Sequence, residues 1–240
     1  MSRRCSQTWR FASQLTPNSI RAMSTRTALI SGNDGKPRCS WCAGDSEYVR
    51  YHDEEWGMPV VDDRLIFEKI CLEGFQSGLS WLTILRKRPA FRIAFKNFEP
   101  ELVAKFNKRD IERLMNNAGI VRHRGKIEAT IQNARASLQM QNEGISLAKF
   151  VWSFCPENAA VKSSKKPSKA PKSQRDIQSK TPESQATSKS LRKLGFKFVG
   201  ETTMYAAMQS LGVVNDHYLG CHRREKCDLA RAKALKLMLA

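Results

Sequence analysis

Residues 62–88 read DDRLIFEKICLEGFQSGLSWLTILRKR, and this stretch predicts two consecutive helices. Asp62 or Asp63 is suited to begin the first helix and Ser80 the second, because short polar side chains accept hydrogen bonds from the free amides of a helix N-terminus. Trp81 then falls in the first turn of the second helix. Helical patterns continue along the chain and no convincing strand interrupts them, so the predicted body is all-α.

A short basic turn, AGIVRHRGK at residues 118–126, separates two further predicted helices. Two helices joined by a glycine-containing turn are typical of a helix-hairpin-helix element, in which the amides of the turn and the start of the second helix face a DNA phosphate. Arg122, Arg124 and Lys126 add positive charge to the turn. An ordinary helical corner with a solvated basic loop is the alternative, and it is the more common arrangement.

Proline and glycine residues predict further helix boundaries. Pro89 and Pro100 are placed at the beginnings of helices, where a proline costs no backbone hydrogen bond. Gly119 is placed just after the end of a helix, where glycine is common because it adopts a left-handed backbone. A later helix is predicted to begin at Thr187 or Ser188.

Four potential metal ligands lie near the two ends of the body. Cys39 and His52 have the spacing C-x12-H, and His217 and Cys221 have the spacing H-x3-C. Zinc usually takes four ligands from cysteine thiolates and neutral histidines, so a metal bound by both pairs joins the ends of a segment of roughly 180 residues. Chance pairing is the alternative in a chain with seven cysteines and four histidines. Three other potential ligands lie nearby in the sequence: Cys42, His222 and Cys227.

An acidic residue and a group of aromatic residues indicate a binding pocket. Glu73 lies in an otherwise apolar helical segment, and a buried glutamate is rarely left without a partner. Tyr48, Tyr51 and Trp56 lie close together in the chain, while Trp81 follows Glu73 by eight residues. Flat aromatic faces hold extruded nucleobases and also attract cationic rings. Packing of the aromatic residues in the core, with a structural partner for Glu73, is the alternative.

The charge of the chain favours a polyanionic partner. Its 240 residues carry a net charge of +18, and three segments hold +14 of it: residues 1–37, 157–190 and 223–240. Such segments attract nucleic acid over a wide area, with simple solvation of the charges as the alternative.

No apolar run approaches the length of about 20 residues that spans a membrane, so no membrane partner is expected. The odd number of cysteines, without a secretory signal, favours reduced thiols over disulfides.

Composition also divides the chain into regions. Residues 1–37 are rich in arginine and serine and predict either an organellar transit peptide or a disordered basic arm. A transit peptide predicts a mitochondrial or plastid protein, and a plain arm predicts a nuclear or cytoplasmic one. Residues 157–188 contain almost no large apolar side chain and predict a flexible basic insert within a domain at 38–222. Residues 223–240 predict a basic helical tail.

Eight motifs, in order along residues 38–222, closely resemble the DNA-3-methyladenine glycosylase I family. The motifs are RCSWC, YVRYHDEEWGMPV, ICLEGFQSGLSWLTILRKR, NNAGIVRHRGKI, NARA, FVWSF, LGFKFVG and VNDHYLGC. Their number and their order argue against a chance match. The basic insert falls where the family has a variable loop.

The resemblance implies a helix-hairpin-helix glycosylase fold that is all-α. It also implies one structural Zn²⁺ per chain, which joins the N- and C-terminal ends of the domain. The zinc ligands of the family fall on Cys39, His52, His217 and Cys221.

The resemblance further assigns the pocket and the DNA contact. Glu73 matches the acid that recognises the base, and Trp81 matches the tryptophan that stacks on it. The other pocket aromatics fall on Tyr48, Tyr51 and Trp56. The hairpin that grips DNA falls on residues 118–126, with five candidate contacts: Gly119, Arg122, Arg124, Gly125 and Lys126.

The reaction of the family is the hydrolytic release of 3-methyladenine from alkylated DNA, which leaves an abasic site. The expected partner is therefore alkylated double-stranded DNA, and the expected state is a monomer. The helix after the hairpin offers Glu128 and no aspartate, which fits a family that lacks the aspartate of many helix-hairpin-helix glycosylases. A non-catalytic, zinc-stabilised nucleic-acid-binding protein is the competing hypothesis.

Overall fold

The computed structural model describes residues 28–157 and 170–239. These residues form two short strands and ten helices: β1 (Leu29–Ser31), β2 (Pro37–Cys39), α1 (Ser46–Glu54), α2 (Asp63–Gln76), α3 (Trp81–Ala94), α4 (Pro100–Val103), α5 (Lys108–Met115), α6 (Arg124–Asn142), α7 (Leu147–Trp152), α8 (Pro182–Lys193), α9 (Glu201–Ser210) and α10 (Arg224–Met238). Short 3-10 helices lie at Ser40–Cys42, Lys96–Phe98 and Gln174–Asp176. The predicted helical class is confirmed, with a small β-hairpin added at its start.

The helices of the quoted stretch begin at the predicted residues. The carboxylate of Asp62 accepts a hydrogen bond from an amide of α2 at 2.8 Å, and the hydroxyl of Ser80 accepts one from an amide of α3 at 3.2 Å. Each cap satisfies an amide that has no partner within its own helix. Pro100 is the first residue of α4, also as predicted. The Ser80 cap marks where the chain turns between Glu73 and Trp81, which lie on adjacent helices.

Helix α2 lies at the centre of the core. It packs against α3, α6, α7 and α9, and it buries a nearly continuous surface: Ile66, Phe67, Glu68, Ile70, Cys71, Leu72, Glu73, Gly74 and Phe75. Burying one large apolar side chain contributes about 1.5–3 kcal/mol to folding, so this helix is a main source of stability. Two carboxylates, Glu68 and Glu73, interrupt the apolar surface and are shielded from water.

Two predicted helix boundaries are wrong. Pro89 lies inside α3 rather than at a helix start. Leu85 and Phe91 are buried on either side of it, and this packing outweighs the backbone hydrogen bond that proline removes. Gly119 lies beyond the C-cap of α5 and does not end that helix. A Cβ at Gly119 would lie 3.0 Å from the Cβ of Ala90, so glycine is needed where the turn approaches α3.

A β-hairpin that the sequence analysis did not predict precedes the helices. Strands β1 and β2 pair antiparallel, with Leu29 opposite Cys39. Strands of three residues are too short for an alternating pattern to be recognised. The hairpin contains residues 29–37 of the predicted basic arm and ends at Cys39. Residues 1–27, the rest of the predicted arm or transit peptide, lie outside the described residues.

Residues 170–188 of the insert predicted at 157–188 contain helical segments, so the prediction of flexibility is wrong for them. Helix α8 begins at Pro182, ahead of the predicted start at Thr187 or Ser188. Both residues are buried where α8 packs against α9, and the hydroxyl of Ser188 donates to a carbonyl just before α9 at 2.7 Å. Small polar side chains thus build a helix interface that the search for large apolar residues missed. Residues 158–169 lie outside the described part of the chain.

The basic tail predicted at 223–240 contains helix α10. The helix packs against α7 and buries Cys227 and Ala234. Across the described ranges, every helix is too short or too polar to cross a membrane.

Candidate functional site

A cavity of about 300 Å³ is lined by α1, α2, α3, α9 and residues 174–179. All five residues predicted for a pocket line it: Tyr48, Tyr51, Trp56, Glu73 and Trp81. Its volume lies at the lower end of the range for ligand pockets, which suits a small planar ligand. The walls are aromatic and the carboxylate of Glu73 is the acidic group among the lining residues.

Glu73 is the buried acid of this cavity. The residue is 4% exposed, and the hydroxyl of Ser210 on α9 donates to its Oε1 at 3.3 Å. Burial raises the pKa of Glu73 to about 7, against the opposing effects of the Lys69 ammonium and the Ser210 hydroxyl. A carboxyl group that exchanges its proton near neutral pH inside a cavity is characteristic of functional sites.

Aromatic rings form the walls of the cavity. The ring centres of Tyr51 and Trp81 are 5.5 Å apart, with the planes tilted by 43°. The ring of Trp41 meets Tyr48 and Trp56 edge-on, with 5.0 Å between ring centres in each case. The buried indole nitrogens of Trp41 and Trp81 have no hydrogen-bond acceptor among the described residues. A buried donor without an acceptor costs free energy, so these two rings lower the stability of the pocket wall.

The structure brings the four predicted metal ligands together. All are buried, and their ligand atoms lie within 4.8 Å of one another: Cys39, His52, His217 and Cys221. The Sγ atom of Cys221 lies 3.5 Å from His52 Nε2 and 3.5 Å from His217 Nδ1, and the Sγ atom of Cys39 lies 3.7 Å from His217 Nδ1. Two thiols and two imidazoles at these distances are able to bind a metal ion.

Neighbouring groups orient the two histidines of this cluster. Asp53 lies 2.8 Å from Nδ1 of His52, and the carbonyl oxygen of Trp56 lies 3.0 Å from Nε2 of His217. Each acceptor favours a proton on the nitrogen that faces it. The other nitrogen of each ring, which faces the thiols, is then free to bind a metal.

The three other potential ligands lie outside the cluster. The thiol of Cys42 donates to the carbonyl of Cys39 at 3.2 Å. His222 contacts Asp53 at 3.0 Å, and the thiol of Cys227 contacts a methionine sulfur at 3.8 Å. The fold therefore gathers four of the candidate residues into one buried cluster, while His222 forms a second, less buried group with His52 and Asp53.

The predicted DNA contact lies between α5 and α6. Arg122 and Arg124 are exposed, and Arg124 also pairs with Glu112 at 2.8 Å. Gly119 lies in the turn, and Gly125 lies in the first turn of α6. The exposed face of this turn therefore combines positive charge with the N-terminus of α6, a helix of 19 residues.

Lys126 is wrongly predicted as a DNA contact. It is 7% exposed, and its ammonium donates to the backbone carbonyls of Phe75 at 2.9 Å and of Ser77 at 2.6 Å. These carbonyls lie at the end of α2, where carbonyl groups lack partners within the helix. The charge of Lys126 thus stabilises the C-terminus of α2 instead of facing a phosphate.

A family model for methyladenine glycosylase matches residues 41–224. The chain belongs to the methyladenine glycosylase family. It is 50% identical to DNA-3-methyladenine glycosylase 1 of Escherichia coli K12 over 184 residues, which make up 77% of this chain and 95% of that protein. It is 47% identical to DNA-3-methyladenine glycosylase of Haemophilus influenzae over 184 residues, which make up 77% of this chain and 96% of that protein.

Solved structures of methyladenine glycosylases have the same fold. A crystal structure of 3-methyladenine DNA glycosylase I matches with a TM-score of 0.72 and 49% identity, over 77% of this chain and 98% of that one. The enzyme from Staphylococcus aureus, solved to explain 3-methyladenine recognition, matches with a TM-score of 0.69 and 36% identity, over 76% of this chain and 93% of that one. The family resemblance found in the eight motifs is confirmed.

The pocket of this methyladenine glycosylase also contains residues that the sequence analysis missed. They are Trp41, Gln76, Gln174, Ile177, Gln178, Ser179, Thr202, Tyr205, Ala206, Gln209 and Ser210. Trp41 carried a usable signal, because it lies inside the RCSWC motif. Residues 174–179 gave no sequence signal for a pocket, since their polar composition resembles that of a linker. The hydroxyl of Tyr218 donates to Gln174 Oε1 at 3.0 Å and helps to hold that segment at the pocket.

Proposed function

We propose that the chain removes 3-methyladenine from alkylated double-stranded DNA by hydrolysing the N-glycosidic bond. One observation carries this proposal: the buried carboxylate of Glu73 lies in a small cavity beside the paired rings of Tyr51 and Trp81. The relatives, which are DNA-3-methyladenine glycosylases, support the choice of substrate. The products are the free base and an abasic site in the DNA.

The lesion itself supplies much of the reactivity. Methylation at N3 makes the adenine cationic, and this weakens the bond between C1′ of the sugar and N9 of the base. When the bond breaks, its electron pair goes to the base, and a water oxygen bonds to C1′ and gives up a proton. The protein then has to extrude the nucleotide, hold the base and reject normal bases.

Glu73 is proposed as the residue that recognises the cationic base. An ionised carboxylate accepts charge-assisted hydrogen bonds and favours the positive charge of the ring. Because the pKa of Glu73 is about 7, a bound cation at neutral pH readily draws the group into its ionised form. The electron-rich faces of Tyr51 and Trp81 attract the same charge. Normal adenine is uncharged, so the pocket favours the methylated base.

The turn between α5 and α6 is proposed as a helix-hairpin-helix contact with the DNA backbone. The free amides at the start of α6 suit a phosphate, and Gly125 places no side chain beside them, while Gly119 lets the turn pack against α3. Arg122 and Arg124 add charge that strengthens binding at low salt. Pocket and turn belong to one chain, so a monomer is the proposed active state.

The cluster of Cys39, His52, His217 and Cys221 is proposed to hold one structural Zn²⁺. Bond lengths of about 2.3 Å to sulfur and about 2.0–2.1 Å to nitrogen separate a sulfur from a nitrogen by about 3.5 Å in a tetrahedral site. The separations of 3.5 Å and 3.7 Å in the cluster fit this value. Four protein ligands leave no open position, so the metal stabilises the fold and does not enter the reaction.

Base release tests the proposed function. The purified protein is incubated with methylated DNA, and the released bases are identified by mass. Free 3-methyladenine, without release of normal bases, is the expected result, and Trp81→Ala is expected to reduce it. The competing hypothesis of a non-catalytic nucleic-acid-binding protein predicts DNA binding without any released base, and that result would overturn the proposal.

A further inference from the structure

A lysine ammonium lies against two rings of the pocket. Lys69 is on α2, one helical turn before Glu73. Its Nζ atom lies 4.7 Å from the centre of the Trp81 ring and 5.0 Å from the centre of the Tyr51 ring. It also donates to the Tyr51 hydroxyl at 3.4 Å. A cation at these distances is attracted to both ring faces and restricts the movement of the rings.

Lys69 reaches these rings from outside the base pocket. It lines a second cavity of about 280 Å³, which lies next to the first. Ser210, which donates to Glu73, lines both cavities and marks the wall between them. Lys69 therefore acts on the pocket through neighbouring side chains and does not contact the base.

The other charged groups near Lys69 are paired with one another. Glu55 accepts from Arg88 at 2.7 Å, and Glu68 accepts from Arg92 at 2.8 Å. Each of these carboxylates has an arginine at hydrogen-bond distance, whereas the hydroxyl of Ser210 is the hydrogen-bond partner of Glu73. Lys69 is therefore the cation that counters the charge of Glu73.

The groups that face Glu73 are otherwise neutral. Burial raises the pKa of Tyr48 and of Tyr51, so both phenols keep their protons. The ammonium of Lys69 lowers the pKa of Glu73 and opposes the larger effect of burial. Burial lowers the pKa of Lys69, and the carboxylate of Glu73 opposes that effect in turn. The two groups thus favour each other's charged form.

We propose that Lys69, from its place against the rings of Tyr51 and Trp81, is a positioning residue that keeps Glu73 ionised for the base. The inference rests on the proposed function and adds a residue to it. The ammonium of Lys69 then determines how far the pH can fall before the pocket loses its affinity for a cationic base.

Removal of this ammonium is expected to move the acid limb of the pH profile to higher pH. Without Lys69, burial acts on Glu73 unopposed by a cation, and its pKa rises above about 7. A rise by one unit lowers the ionised fraction about tenfold wherever the pH is below both values. Lys69→Met is therefore expected to lose about tenfold in excision near pH 6.5 and to regain most of it near pH 9. Lys69→Arg keeps a cation and is expected to keep the acid limb.

Single-turnover excision of 3-methyladenine from methylated DNA, measured from about pH 6 to about pH 9, tests the inference. Lys149→Met is the matched control, because it removes one exposed ammonium from α7, away from both cavities. A shifted acid limb in Lys69→Met, with none in Lys69→Arg or Lys149→Met, is the expected result. An unchanged acid limb in Lys69→Met, or an equal shift in Lys149→Met, overturns the inference.

A double variant separates this role from a general loss of stability. Glu73→Gln removes the titrating group, so adding Lys69→Met to it is expected to shift no acid limb further. A further shift in the double variant overturns the inference. If Lys69→Met melts below the assay temperature, Lys69→Gln is judged by the same criteria. A protein that releases no base at any pH refutes the proposed function instead, which distinguishes the two failures.

Discussion

Replacing Lys126 with methionine is expected to destabilise the fold, although the residue belongs to a basic turn. Its buried ammonium donates to the carbonyls of Phe75 and Ser77 at the end of α2. Methionine has a similar apolar stem and fills the same space, so the substitution removes the charge and its two hydrogen bonds with little change in packing. Burial lowers the pKa of Lys126, because the charged form loses solvation.

The expected loss follows from these opposing effects. A hydrogen bond from a charged donor contributes about 1.5–3 kcal/mol, and a cation at a helix C-terminus adds about 0.3–1 kcal/mol. The desolvation of the ammonium, which the variant avoids, offsets part of this gain. We expect Lys126→Met to lose about 2–4 kcal/mol of the free energy of unfolding. Excision is also expected to fall, because the end of α2 positions the helix that carries Glu73.

Urea denaturation at pH 7 measures this loss, with Arg122→Met as the matched control from the same turn. Arg122 is exposed, so its replacement is expected to change the free energy of unfolding by less than about 0.5 kcal/mol. The reasoning is refuted if Lys126→Met keeps the urea midpoint of the parent while the slope of the salt dependence of DNA binding falls by about one. That outcome would mean that the ammonium faces a phosphate after all.

Three further predictions concern other parts of the molecule. Burial raises the pKa of Glu73 from 4.5 to about 7, so the folded protein retains a proton that the unfolded chain loses, and stability falls as the pH rises between these values. Thermal melting should therefore show Glu73→Gln to be more stable than the parent, by about 1–3 kcal/mol at pH 8 and by little at pH 4.5. Metal analysis should find one zinc per chain in Cys42→Ser and a loss of zinc and of melting temperature in His52→Ala; the opposite pattern would refute the ligand set. Arg122→Ala should weaken DNA binding and lower the slope of its salt dependence by about one, and an unchanged slope would remove the turn from the DNA contact.

The pocket was largely predictable because local signals determine the positions of its walls. Asp62 and Ser80 cap consecutive helices, and these helices bring Glu73 and Trp81 to the wall of one cavity. A glutamate in an apolar helix is a strong signal, since a carboxylate is seldom buried without a role.

Other features depend on tertiary contacts that local patterns do not contain. Lys126 is one charge among several in a basic turn, and only the approach of α6 to α2 buries it. Residues 174–179 have the composition of a linker, yet the contact between Gln174 and Tyr218 holds them at the pocket. Cys42 has a common metal-ligand spacing with Cys39, but the folded chain directs its thiol to a backbone carbonyl. The partners of Lys126 and of Gln174 are distant in the sequence, whereas Cys42 contacts a carbonyl three residues before it and so stays out of the metal cluster.

The excision rate of Glu73→Gln tests the central claim most directly. The single-turnover rate of 3-methyladenine release at pH 8 is compared with that of the parent, alongside DNA affinity and melting temperature. Loss of one charge-assisted hydrogen bond predicts a rate about 10–100-fold lower, with DNA affinity unchanged and the melting temperature equal or higher. A rate equal to that of the parent, in a folded variant that binds DNA normally, would contradict the assignment of Glu73 as the residue that recognises the base.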